Sequence, residues 1–309
     1  MSAEGGTRAI IAAFLANVGI AVAKITAFVF TGSTSMLAES IHSVADTGNQ
    51  GLLFLGHRLA RREPTTAHPF GFGRERYFWA FIVALVLFSM GALFSISEGI
   101  EKIRHPHPLR DLEWAIGVLL AGLVLEGWSL RTAAREANRT RGRATWPEFI
   151  RHSRSPEIPV VLLEDSGAVI GLLTALVAIS LSALTGNPIY DGVGTLLIGL
   201  LLAAIAVVLA REMRSLLIGE SATSEDIEKI VSAIAATPGV VRLIHMRTEH
   251  LGPEELLVGA KVEFEPGLST DEIATVVDEV EAAVRAAVPI AGPIYVEPDR
   301  MRPPKEGPP

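Results

Sequence analysis

The chain of 309 residues contains no cysteine. Disulfides and thiolate metal sites are therefore excluded, and any metal has to be held by histidine, carboxylate or backbone oxygen. Aromatic residues are scarce, at 6%. No glycine-rich phosphate loop is present, which disfavours ATP-driven work. The arginines cluster beside apolar runs, and no nucleic-acid signature accompanies them, so no nucleic-acid partner is expected. No convincing general base or nucleophile arrangement appears, and the chain does not read as an enzyme. A charged leader with a short apolar core and cleavage site is also missing, so the first apolar run reads as a membrane span.

Most long apolar runs fall before about residue 218. A span needs about 20 mostly apolar residues. Six candidates are Ala9–Phe30, Met36–Leu59, Tyr77–Ile100, Leu112–Leu130, Val160–Leu184 and Val193–Leu209. The residues after 218 carry 17 acidic against 8 basic side chains, a net of −9, whereas the first 218 carry +2. This asymmetry predicts a six-helix membrane domain over 1–218, an acidic cytoplasmic domain over 219–300 and a disordered tail over 301–309.

Basic residues are missing from the first and fifth connections, and the third holds only Lys102, Arg104 and Arg110. The second connection holds Arg58, Arg61, Arg62, Arg74 and Arg76, and the fourth holds seven arginines from Arg131 to Arg154. Positive-inside bias places both termini and the arginine-rich loops in the cytoplasm, and the expected location is a bacterial plasma membrane. Within the tail, Ser224–Ala236 and Ser269–Ala287 have helical periodicity, with a serine cap before the first and Ser269 or Thr270 before the second. Val240–Glu249, Glu255–Phe264 and Pro293–Glu297 read as strands, giving an αββαβ order and a ferredoxin-like two-layer fold.

Ionisable residues inside the spans are few. His42 and Asp46 stand four apart in the second span, so a helix puts them on one face, and Asp165 lies in the fifth. A charge at membrane depth costs roughly 2.5–3.5 kcal/mol even on the gentlest scale, so such groups mark ion pathways or proton relays. Histidine with carboxylate is also a pair suited to a borderline metal. The plain alternative is a polar network fixing helix packing. Glu126, Asn17 and Asn49 carry the same two readings. His68 reads as a turn residue or part of a loop-level metal site, and His245, His250, Glu297 and Asp299 as surface residues or a regulatory site.

The segment Ser35-Met-Leu-Ala-Glu-Ser-Ile-His-Ser-Val-Ala-Asp46 resembles the second span of the cation diffusion facilitator family of zinc transporters. His68-Pro-Phe-Gly-Phe-Gly-Arg-Glu-Arg-Tyr77 is similar to the family's loop into its third span, and Leu162-Leu-Glu-Asp-Ser166 resembles the branch of the mitochondrial zinc exporters. The resemblance covers nearly the whole chain. It implies a transport site of two ligands from span two, His42 and Asp46, and two from span five. Asp165 matches one of the latter; the other position is Val161, which cannot ligate. Glu164 is the nearest replacement, although it points about 100° from Asp165 on an ideal helix. Water or Asn17 completing the shell, or relaxed metal specificity, stays open. The resemblance further implies Zn²⁺ as transported ion, with other divalent cations open and no prosthetic group. It implies proton antiport by alternating access and a homodimer formed through the tail. The competing reading is a non-transporting membrane metal sensor or scaffold.

Overall fold

The computed structural model describes residues 34–106 and 112–301 together with helical residues between 14 and 29; side chains of 34–43, 45, 88 and 114 lie outside that description. The expected first span, Ala9–Phe30, and the tail beyond 301 fall largely or wholly outside it. The described residues divide into two compact units. One runs up to Arg62 and resumes over Glu75–Arg214, and the other joins Glu63–Arg74 to the chain from Ser215 onward.

The first unit is helical. Helix α1 (Thr34–Ala60) contains the expected second span. Helix α2 (Glu75–Arg104) widens to i→i+5 turns over Leu87–Leu93. Helix α3 is Leu112–Arg141, α4 is the short Trp146–His152, α5 is Glu157–Thr185 and α6 is Ile189–Ile218. Among the described residues, four helices are long and apolar enough to cross a membrane: α2, α3 over Ala115–Arg141, α5 and α6. The expected spans three to six fall within them. Helix α1 matches them in length but carries the polar residues singled out above.

Small residues set how closely these helices pack. A Cβ on Gly99 of α2 would lie 2.5 Å from the backbone nitrogen of Leu196 on α6. A Cβ on Gly199 of α6 would lie 2.7 Å from the backbone nitrogen of Ile96 on α2. The two glycines thus admit the partner backbone in a reciprocal contact. Such approach compensates for the lack of a hydrophobic driving force between helices in lipid.

The second unit contains α7 (Ser224–Ala236), β1 (Val240–Gly252), β2 (Glu255–Phe264), α8 (Thr270–Ala287) and β3 (Ala291–Pro298). The strands form one sheet in the order β1-β2-β3, with β1 antiparallel and β3 parallel to β2. This is the αββαβ order expected. Strand β1 runs three residues past its expected end because pairing continues to Gly252↔Glu255, and β3 starts earlier because Ala291 pairs with Leu256. Leu256, Val258, Ala260 and Val262 alternate into a core closed by Ile230 and Ile234 of α7 and Val280 and Val284 of α8. The cap of α7 is Thr223, whose hydroxyl accepts from the Asp226 amide at 3.2 Å, and not a serine. Ser269 and Glu272 form a reciprocal capping box on α8.

The segment 63–74 packs within this second unit. Arg74 pairs with Glu249 of β1. A Cβ on Gly73 would lie 2.7 Å from the Leu251 carbonyl oxygen, so the strap meets the β1–β2 turn backbone to backbone.

Candidate functional site

Helix α1 is unbroken from Thr34 to Ala60, which puts positions 42 and 46 on one side, as their spacing predicts. The His42 side chain lies outside the described residues. Asp46 is half-buried, and Asn49 and Gln50 beyond it are buried.

Asn49, nearly one turn past Asp46, donates from Nδ2 to Glu164 Oε1 on α5 at 2.9 Å. Asp165 is buried, and its Oδ2 accepts from Ser129 Oγ of α3 at 2.8 Å. The carboxylates of Asp46, Asp165 and Glu126 all lie close enough to Glu164 to act on it electrostatically. Three helices, α1, α3 and α5, therefore bring four carboxyl groups into one apolar region. Like charges gathered there are costly unless a cation, a proton or a hydrogen bond offsets them. Glu164 Oε2 is shut off from solvent and has no hydrogen-bond partner among the described residues. The Oδ1 of Asn49 and the Oε1 of Gln50 are in the same condition. Buried oxygen acceptors without a donor are the chemistry that a hard or borderline cation takes.

No three His, Asp or Glu side chains among the described residues stand close enough together to hold a metal as they are placed. The His42 side chain is not among them. Val161 is half-buried and, as its chemistry dictates, offers no donor. Ser129 escaped the sequence reading, although it follows Glu126 by three residues and so falls near it on α3. Asn49 was legible as a polar residue near the Asp46 face, but its partner was not.

Among the described residues, the other candidates are not assembled into a group of three that could hold a metal. His68 belongs to a turn in which its amide donates to the Thr65 carbonyl at 3.0 Å, and its ring lies tilted against Phe72 with centroids 4.7 Å apart. In the tail, Lys261 stands beside His245 on one strand and Glu297 on the other. Its Nζ lies 2.8 Å from Glu297 Oε1 and 3.5 Å from Asp299 Oδ2. The Glu297 bond holds this ammonium above the ordinary lysine range. His245 instead accepts from Arg247 Nε at 3.2 Å, and His250 is buried with Nδ1 3.4 Å from the Gly252 carbonyl oxygen. An internal ammonium therefore meets the acidic pair.

Comparison with known proteins follows the same division. The family described as "Cation efflux transmembrane domain" matches residues 10–218, and "Cation efflux protein, cytoplasmic domain" matches 222–299. The proton-coupled zinc antiporter SLC30A9, mitochondrial, of Xenopus laevis is 37% identical over 78% of this chain and 44% of its own length. Metal tolerance protein C4 of Arabidopsis thaliana is 30% identical over 83% of this chain and 57% of its own. The cation-efflux pump FieF of Cronobacter sakazakii is 26% identical over 92% of this chain and 89% of its own. Among solved structures, a variant of the MamM C-terminal domain covers 25% of this chain and 92% of its own at 22% identity and a TM-score of 0.24. The chain thus spans less than half the length of the zinc antiporters it matches at 35–37% identity. Those relatives are named mitochondrial, which does not fit the expected bacterial plasma membrane. With the transmembrane-domain description matching more than half of its length, the chain is an integral membrane protein of the cation efflux, or cation diffusion facilitator, family.

Proposed function

We propose that the protein is a secondary transporter that moves a divalent metal, Zn²⁺ foremost, out of the compartment holding its tail in exchange for protons. His42, Asp46 and Asp165 are the proposed ligands, and Glu164 supplies the fourth in place of Val161. The observation that carries this reading is the bond from Asn49 to Glu164 Oε1, which aims Glu164 toward the helix bearing Asp46 and leaves its Oε2 without a partner. Zinc takes four N/O ligands, and one imidazole with carboxylates suits it better than an all-oxygen set.

Binding requires a neutral His42 and ionised carboxylates, so metal and protons compete for the same groups. Histidine titrates near neutrality, which allows that exchange in the physiological range. Asn49 and Ser129 hold two of the carboxylates in orientation. Alternating access then exposes the site first to the arginine-rich side and next to the opposite one. In this reading 1–218 is the transport domain, both termini lie on the arginine-rich side and 219–300 joins two copies in a homodimer. The names of the zinc antiporter relatives support this reading over a non-transporting sensor or scaffold.

Zinc flux into proteoliposomes under a pH gradient tests the proposal. The expected result is flux in the wild type that is lost in Asp46→Ala and in Asp165→Ala. Wild-type flux equal to that of empty liposomes under every gradient would overturn it.

A further inference from the structure

An ion pair stands apart from the site just described. Arg76 lies in the first turn of α2 and Glu157 in the first turn of α5, so both mark the arginine-rich ends of their helices. The guanidinium is engaged in a fork: Nε to Glu157 Oε1 at 2.5 Å and Nη2 to Oε2 at 2.9 Å. The side chains are only 11% and 6% exposed. A buried ion pair contributes little net stability over an apolar pair, yet it specifies geometry and is strongly unfavourable when half-broken. Only two arrangements are then cheap: closed and paired, or open with both groups hydrated.

The position of Glu157 gives that choice a consequence. It precedes Asp165 by eight residues on one helix, about 12 Å along the axis. Val161 falls midway and, at i+4 from Glu157 and i−4 from Asp165, on a similar side. The fork therefore ties α5 to α2 on the arginine-rich side of the carboxylate region. We infer that Arg76 and Glu157 form a gate that closes the metal site to the arginine-rich compartment. Paired, they hold the N-terminal ends of α2 and α5 together; separated, they admit water and the hydrated ion along the side of α5 that carries Val161. Both are positioning residues, because they govern access and do not touch the metal. The negative carboxylate also faces the positive end of its own helix dipole, which leaves Glu157 stabilised after Arg76 departs.

This inference rests on the transport reading, and its test is built to fail separately. The natural chain has no cysteine, so Val161→Cys introduces a single reactive thiol between the pair and the carboxylates. Labelling by a membrane-impermeant maleimide is followed in proteoliposomes, with chelator present and the reagent on the arginine-rich side. With the pair intact the thiol reacts slowly. Glu157→Gln or Arg76→Gln is expected to raise the rate about tenfold or more, the change from a minor to a dominant open state. The exchanged pair, Arg76→Glu with Glu157→Arg, is expected to restore slow labelling, which a residue needed only for folding would not do. Equal rates in the intact and single-variant proteins would overturn the gate, as would failure of the exchanged pair to restore slow labelling. Wild-type zinc flux is measured alongside: pair-dependent labelling without flux supports the gate while removing transport, and flux with pair-independent labelling removes the gate alone.

Discussion

Asn49 of α1 and Glu164 of α5, 115 positions apart, are joined by one hydrogen bond of 2.9 Å. It links the helix bearing His42 and Asp46 to the helix bearing Asp165, at the acidic residue that stands next to Asp165.

The first prediction follows from that bond. Asn49→Ala and Ser129→Ala remove groups that orient carboxylates, and each is expected to weaken zinc affinity by about 10–100-fold, the usual cost of losing an outer-shell partner. The zinc dependence of flux measures this. An unchanged half-saturation in both variants would remove the two residues from the site.

Glu164→Gln tests the replacement ligand itself. The amide keeps the volume and the oxygen facing Asn49 but abolishes the charge. Half-saturation is expected to rise by at least about tenfold, within the range that perturbing a metal site's partners produces. Wild-type affinity in Glu164→Gln would place Glu164 outside the metal shell.

Packing between α2 and α6 makes a stability prediction. Gly99→Val drives side-chain atoms into the backbone at Leu196, and Gly199→Val does so at Ile96. Each is expected to cost about 1–3 kcal/mol, as overpacking does. Gly117→Ala is the matched control, because a Cβ there meets nothing within 4 Å. Thermal unfolding in detergent should separate the two valine variants from the control.

A pH prediction comes from the cap of α8. The Ser269 amide and hydroxyl both donate to Glu272, at 2.7 and 2.8 Å, and hold its carboxyl below the usual carboxylate range. A depressed acid adds stability that is fully present above its unfolded value of about 4.3 and is lost as pH falls through the lower folded value. Amide exchange in α8, corrected for intrinsic rates, should therefore accelerate below about pH 4. Glu272→Gln should abolish that step; a step of the same size in the variant would assign it to another group.

The parts legible in the sequence are those written in local spacing. Helical periodicity located Ser224–Ala236, and β1 and β2 showed through alternation on either side of Leu251-Gly-Pro253. The four-residue step from His42 to Asp46 alone places both on one side of α1. Pairings between distant segments left no such mark. Nothing in the period of α5 names Asn49 as the partner of Glu164, and nothing in α3 assigns Ser129 to Asp165. The pairing of Glu297 and Asp299 with Lys261 was equally unmarked, because Lys261 is remote in sequence and becomes their neighbour only through β2–β3 pairing.

The strap of residues 63–74 bears on how the protein is made. Arg74 leaves the ribosome 175 residues ahead of Glu249, its partner. At about 5–20 residues per second, that separation is a wait of roughly 10 to 35 s. Throughout it, the four described helices long and apolar enough to cross a membrane are synthesised while the strap's docking surface does not yet exist. The tail unit can close only after the β1–β2 turn has been synthesised, so a docked strap certifies that every intervening helix has already been made.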